Sequence, residues 1–115
     1  MASSSAARME VWMTDFGAGR GHEQAGLRPS VVVSHDGFNQ SAADLVIVIP
    51  ITSKAKGIRT HVQVQPPEGG LTTISYAKCE DIRSISKDRL SRRMGAVTPA
   101  TMASIELVLR ALLVL

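Results

Sequence analysis

Arg28, Thr52 and Glu23 are the residues whose types and settings in this sequence could do chemistry together. Arg28 ends a polar, glycine-bearing stretch, Gly21-His22-Glu23-Gln24-Ala25-Gly26-Leu27-Arg28, and is followed by Pro29 and the run Ser30-Val31-Val32-Val33-Ser34. A proline keeps the residue before it extended, and a β-branched run favours a strand. The arginine is therefore a permanent cation placed where a mobile loop enters a sheet. Its guanidinium grips phosphate with two parallel hydrogen bonds and is a poor general base. Thr52 follows the apolar run Leu45 to Ile51, so its hydroxyl sits at the mouth of a rigid strand. Glu23 is the nearest candidate proton acceptor, and an ion pair with Arg28 is the alternative use of its charge. A fixed cation, a hydroxyl donor and a carboxylate suit RNA cleavage without a metal. There the ribose 2′-hydroxyl attacks the adjacent phosphorus, the 5′-oxygen leaves, and negative charge builds on the phosphoryl oxygens.

Other polar residues flank these three. Arg20 lies in the loop Gly17-Ala18-Gly19-Arg20-Gly21, which could fold over a bound strand of RNA. The Gly-x-Gly-x-Gly spacing is not a dinucleotide fingerprint, because a strand follows it rather than a helix. Lys54 and Lys56, close after Thr52 and Ser53, either track phosphates or belong to a solvated turn. Phosphate contacts would add salt-dependent affinity without sequence choice. His22, His35 and His61 have the spacing of neither a metal motif nor a fixed pair. They read as surface or structural residues, with His22 set apart only as the neighbour of Glu23. No metal or other cofactor is expected.

The elements that hold these residues follow from the rest of the chain. At 115 residues it fits one domain with a single modest core. Only 3% of residues are aromatic, so Val, Ile, Leu, Met and Ala must build that core. A net charge of +3 and a pI near 9.5 lean mildly towards anionic partners. Cys79 is the one cysteine, which rules out an intrachain disulfide, points to the cytosol and reads as a small buried hydrophobe. The longest apolar run falls far short of the ~20 residues a membrane-spanning helix needs. Residues 1–8 read as a disordered tail and 9–115 as the domain.

Strands are expected over Met9 to Phe16, Arg28 to His35, Leu45 to Thr52 and Ile58 to Gln65. Shorter extended pieces follow over Thr72 to Tyr76 and Ile82 to Ser86, with an arginine-rich edge strand over Arg89 to Gly95. The third strand is apolar throughout and so is buried on both faces. Pro66-Pro67-Glu68-Gly69-Gly70 is a turn. Thr98-Pro99 opens a helix with an N-cap and an N1 proline, and Met102, Ile105, Leu109, Leu112 and Leu113 recur at helical spacing along it. The pattern is mainly β with a C-terminal α-helix: a small, partly open β-barrel.

The segments Glu23-Gln24-Ala25-Gly26-Leu27-Arg28-Pro29, Pro50-Ile51-Thr52-Ser53 and Glu80-Asp81-Ile82-Arg83, in that order, resemble the MazF/PemK family of toxin endoribonucleases. The resemblance runs from about Val11 to the C-terminus and implies the family's SH3-like, PemK/CcdB-like barrel. It implies that Arg28 and Thr52 are the central catalytic pair, with Glu23 contributing to activity. Arg20, Gln24, Ser53, Lys54, Lys56, Glu80, Asp81 and Arg83 are then the residues expected to contact RNA. Asp81 stands where the family usually has glutamine, and an acceptor-only carboxylate cannot donate as an amide does. The base preference of that subsite therefore does not carry over. Arg89 matches a further arginine of the family, or is a structural ion-pair partner.

The resemblance implies a cytoplasmic homodimer that cleaves single-stranded mRNA, leaving a 2′,3′-cyclic phosphate (or 3′-phosphate) and a 5′-hydroxyl. It also implies a MazE-like antitoxin whose acidic C-terminal segment fills the RNA groove. Two other classes compete with this reading. CcdB-type toxins share the barrel and poison gyrase without catalysis, but the Arg28 and Thr52 pattern belongs to the nucleases. A peptide-binding SH3-like module needs an aromatic-lined groove, which this chain has few aromatics to build.

Overall fold

The computed structural model describes residues 5–115. Its strands are β1 (Glu10–Asp15), β2 (Leu27–Val32), β3 (Leu45–Thr52), β4 (His61–Val64), β5 (Ser75–Lys78), β6 (Arg83–Ser86) and β7 (Leu90–Ala96). A one-turn helix α1 (Asp36–Asn39) precedes β3, and α2 (Pro99–Leu113) ends the chain. The strands form one 7-stranded sheet in the order β4-β5-β3-β2-β1-β7, with β6 also pairing β3. All pairings are antiparallel. The outer strands β4 and β7 do not pair with each other, so the barrel is open, as the sequence predicts.

β3 is the hub. It pairs with β2 along one side, with β6 through Leu45 to Val48, and with β5 at Ile51 and Thr52. A strand flanked this way must be apolar on both faces, and β3 is. Ile49 and Ile51 join Val11, Val31 and Val64 in the core beneath α2, together with Met102 and Ile105 of that helix. Val46 and Val48 face the other way, against Phe16, Val32, Ile85 and Leu90, with Trp12 packed at the margin. Each such side chain stabilises the fold by about 1.5–3 kcal/mol when fully buried. Cys79 is wholly buried in the first core, and burial, aided by the charge of Glu80, pushes its thiol up to about 12.

α2 begins as its sequence predicts. The Thr98 side chain accepts the Thr101 N–H at 3.2 Å, with Pro99 in the first turn, and Glu68 Oε2 accepts the Thr98 N–H at 2.8 Å. The expected apolar stripe is only partly used: Met102 and Ile105 are buried, while Leu112 and Leu113 are 41% and 50% exposed. The helix packs on β4 and on the Cys79–Asp81 turn, neither of which covers its last turn.

Several element boundaries differ from expectation. β4 starts at His61 rather than Ile58, because the His61 N–H closes a turn onto the Ile58 carbonyl at 3.0 Å. The strand expected from Thr72 begins at Ser75, where pairing with β4 starts. The turn after β2 is the short helix α1, capped by the His35 side chain through the Gly37 N–H. Of the expected tail, residues 1–4 lie outside the described residues. Ala6 is buried in the second core, and Arg8 donates to the Val33 carbonyl and pairs with Glu106 of α2. The packed chain therefore starts before Met9, because Arg8 finds partners on two distant elements. No helix among the described residues is long and apolar enough to cross a membrane.

Candidate active site

The site lies where β2 and β3 part. Their ladder pairs Val32 with Val48, Val31 with Ile49 and Ser30 with Pro50, and stops there. Successive pairs in an antiparallel ladder alternate between hydrogen-bonded and non-hydrogen-bonded kinds. The last pair contains Pro50 and the next would contain Pro29, so a residue without an N–H stands in whichever one needs it. Extended one step further, the same register would set Arg28 opposite Thr52. Arg28 remains tied to the sheet from its other side, paired with Thr14 of β1, and Thr52 is tied by pairing with Tyr76 of β5. Two firmly held strands thus present a guanidinium and a hydroxyl across an open mouth.

The mouth opens into a cleft of about 280 Å³. Glu23, Gln24, Arg28, Thr52, Ser53, Lys54 and Lys56 all line it, joined by His22, His61 and Lys78. A second cleft of about 430 Å³ adjoins it, walled by Met13, Pro29, Ile51, Leu71 and Met94, with Thr72, Thr73, Ser75 and Arg92 also lining it. Arg28, Thr52 and Ser53 belong to both clefts. An extended ligand running from one cleft to the other would pass directly over them.

Hydrogen bonding leaves a donor or acceptor on each of Arg28, Thr52 and Glu23 without a protein partner among the described residues. Thr52 Oγ1 accepts the Lys54 N–H at 3.2 Å, which leaves the hydroxyl proton to be donated. Arg28 uses only Nε, on the Ala25 carbonyl at 3.3 Å, so the Nη groups have no partner among the described residues. Glu23 does not pair with Arg28. Its Oε1 accepts the Arg20 N–H at 3.0 Å, while its own N–H donates to the Arg20 carbonyl at 3.0 Å. That reciprocal turn shapes the loop tip and leaves Oε2 unbonded among the described residues. Four cations and one carboxylate line the first cleft, namely Arg28, Lys54, Lys56, Lys78 and Glu23, so it favours an anion.

The remaining residues expected at RNA are placed differently. Arg20 is exposed on the loop and does not line the cleft. Glu80 supports β4: Oε1 accepts the Thr60 hydroxyl at 2.7 Å and Oε2 faces His61 Nε2 at 3.0 Å. Asp81 and Arg83 sit behind the loop, bonded to each other at 2.8 Å and to Gln24. Arg89 donates to the Asp15 carbonyl at 3.0 Å, which is a structural contact. Sequence reasoning missed two cleft residues. His61 reads as structural in sequence, yet it lines the cleft with a side chain only 3% exposed and an unpartnered Nδ1. Lys78, 8% exposed, reaches the His22 carbonyl at 2.9 Å. No local pattern marks it, because the residue it reaches is 56 positions away. Among the described residues, no three His, Cys, Asp or Glu side chains come together as a metal site.

Burial acts to raise the Glu80 carboxyl, but hydrogen bonds from Thr60, its own backbone and His61 outweigh burial and hold it below the usual carboxylate value. A depressed carboxylate adds stability above its unfolded pKa of about 4.3, and that stability is lost as pH falls through the lower folded value. Glu80→Gln should therefore lower the denaturation midpoint at neutral pH, and the gap to the unsubstituted protein should shrink as pH falls below about 4. Urea unfolding at several pH values checks this; a gap that widens in acid would contradict the pairing.

Comparison with known proteins fits this geometry. The family model described as PemK-like, MazF-like toxin of type II toxin-antitoxin system matches residues 7–113. The endoribonuclease MazF9 of Mycobacterium tuberculosis is 38% identical over 104 residues, covering 86% of this chain and 88% of that protein. Endoribonuclease MazF of Staphylococcus epidermidis is 32% identical over 102 residues, covering 86% and 83%. Among solved structures, MazF of Deinococcus radiodurans superposes with a TM-score of 0.82 at 25% identity, covering 96% of this chain and 97% of that one. A mycobacterial endoribonuclease in complex with its cognate antitoxin superposes with a TM-score of 0.76 at 29% identity, covering 96% and 95%. With the open barrel, the Arg28 and Thr52 mouth and a family match over nearly its whole length, this chain belongs to the PemK-like, MazF-like toxins of type II toxin–antitoxin systems.

Proposed function

We propose that this chain is a toxin endoribonuclease that cleaves single-stranded mRNA in the cytoplasm, with the scissile phosphate held between Arg28 and Thr52. The observation that carries the reading is their position: both line the two adjoining clefts, just beyond the end of the β2–β3 ladder. Glu23, whose Oε2 is unbonded among the described residues, takes the proton of the 2′-hydroxyl as that oxygen attacks phosphorus. The 5′-oxygen leaves and takes a proton from solvent water, giving a 5′-hydroxyl and a 2′,3′-cyclic phosphate that a further water can open to a 3′-phosphate. Arg28 and the Thr52 hydroxyl bind the charge that grows on the phosphoryl oxygens, where preorganised donors are most effective. Lys54 and Lys56 hold flanking phosphates, and Ser53 and Gln24 line the path of the strand. A gyrase-binding role would make no use of this donor arrangement.

The relatives also bear on partners. The structures similar to this chain include a MazE–MazF complex from Deinococcus radiodurans and the mycobacterial toxin–antitoxin complex. A cognate MazE-like antitoxin with an acidic C-terminal segment suits the cationic cleft and would compete with RNA for it. The exposed Leu107, Leu112 and Leu113 of α2, beside two already filled cores, suit a homodimer.

Three outcomes are expected. In single-turnover assays with EDTA present, Arg28→Ala and Thr52→Val should each slow cleavage of bound RNA by about 100- to 1000-fold. Arg28→Lys, which lacks the planar fork, should be nearly as slow. Binding of an uncleavable 2′-deoxy substrate should fall only modestly, with the salt slope changing by about one unit for either Arg28→Ala or a flanking lysine variant. Loss of affinity with an unchanged bound rate would make Arg28 a binding residue, and activity that disappears on chelation and returns with magnesium would overturn the mechanism. Second, an acidic peptide should displace RNA from the cleft, and less well as salt rises; inhibition that leaves RNA bound would refute a shared cleft. Third, sedimentation should return twice the 12.3 kDa chain mass, and a monomer at all concentrations would exclude the dimer.

A further inference from the structure

The loop that carries Glu23 is gripped from behind by a three-residue ionic cluster. Asp81 Oδ2 accepts the Gln24 backbone N–H at 2.8 Å and the Arg83 Nη2–H at 2.8 Å, with Lys78 Nζ at 3.7 Å. The two cations then hold the loop's carbonyls. Lys78 Nζ donates to His22 O at 2.9 Å, and Arg83 Nη2 donates to Gln24 O at 3.2 Å. The Arg83 guanidinium also lies 4.7 Å over the ring of Phe16, at the loop's first residue. The backbone on both sides of Glu23 is thus fastened, while the Glu23 side chain itself takes no part. Asp81 and Lys78 are only 13% and 8% exposed, so solvent screens the cluster little.

We infer that Asp81, through Lys78 and Arg83, is the latch that positions Glu23 for the chemical step, and that it does not read an RNA base. This rests on the reading of Glu23 as the proton acceptor. The physical reason lies in the donors already present. One carboxylate oxygen serves a backbone amide and two cations, and turning it to a base would leave a nearly buried ammonium and a partly buried guanidinium without their counter-charge, which is costly. A neutral amide in place of the Asp81 carboxylate could not neutralise two cations.

Hydrogen exchange and kinetics together test the latch. In the unsubstituted protein the Gln24 amide should exchange at least about tenfold more slowly than that of Gly21 in the same loop, as a charge-assisted hydrogen bond requires. Asp81→Asn keeps the shape but removes the charge, and should abolish most of that protection. The bound rate of cleavage should fall by about 10- to 100-fold, the scale of a catalytic group displaced by about 1 Å. Affinity for uncleavable RNA and the cut motif, read by sequencing the ends, should stay the same. Because the effect runs through Glu23, Asp81→Asn should cost much less in a Glu23→Gln background.

If Asp81→Asn does not fold, Asp81→Ala with Arg83→Met removes the acid together with its guanidinium partner, neither of which lines the cleft, and should show the same loss. A changed motif with the Gln24 amide still protected would make Asp81 a base reader and overturn the proposal. Additive effects of the Asp81 and Glu23 substitutions would overturn it too, as would a Gln24 amide that exchanges as fast as Gly21 in the unsubstituted protein. Absence of any RNA cleavage would defeat the nuclease reading, while the amide measurement would still report on the latch.

Discussion

Hydrogen bonding between β2 and β3 ends at Ser30 and Pro50 because proline occupies one position in that pair and one in the next, and neither proline has an N–H to give. The site depends on this stop. Had the ladder continued, Arg28 and Thr52 would be cross-strand neighbours on a closed sheet, with no room for a ligand between them. Because it stops, Arg28 and Thr52 are not paired with each other, while each keeps its other neighbour, β1 for Arg28 and β5 for Thr52. The mouth is therefore open without being loose. Rigid placement of this kind lets a few donors stabilise developing charge without reorganising.

β3 supplies that rigidity at the level of the whole fold. Its alternate residues feed two separate cores, Ile49 and Ile51 on one side and Val46 and Val48 on the other. A displacement of β3 large enough to move Thr52 would disturb both cores at once. Close-packed interiors resist such shifts. The polar side of the site is built with less redundancy. The β1–β2 loop has no core of its own and is held by a narrow neck, where Phe16 and Gly26 N–H groups bond across at 2.9 and 2.7 Å, and by the contacts from Lys78, Asp81 and Arg83.

The charges are divided accordingly. Arg28, Lys54 and Lys56 face the cleft, where a polyanion can meet them. Arg83 and Lys78 have carboxylate and carbonyl partners and serve the architecture. Glu80, although adjacent to Asp81, belongs to neither group, since it holds Thr60 and His61 at the start of β4. Three consecutive acidic or thiol residues, Cys79, Glu80 and Asp81, thus have three unrelated tasks: filling the core, fastening a strand and fastening a loop.

Features that depend on neighbours along the chain were legible in the sequence. Arg28 is extended because Pro29 follows it, Thr52 ends a strand because an apolar run precedes it, and α2 starts at Thr98-Pro99 because those residues cap a helix. The all-apolar β3 announced burial on two faces, and the short strands with one terminal helix announced an open barrel. Whether Glu23 would pair with Arg28 was undecided, since spacing allowed it; the reciprocal turn with Arg20 turned Glu23 away from that pairing. Tertiary structure alone decided the rest. Asp81, Arg83 and Lys78 grip a loop 56 to 59 residues away, Arg8 pairs with a residue 98 positions distant, and His61 joins the cleft only because β4 pairs with β5. Side-chain type and local spacing set what a residue is able to do, whereas a salt bridge between distant segments exists only once folding has brought both ends together.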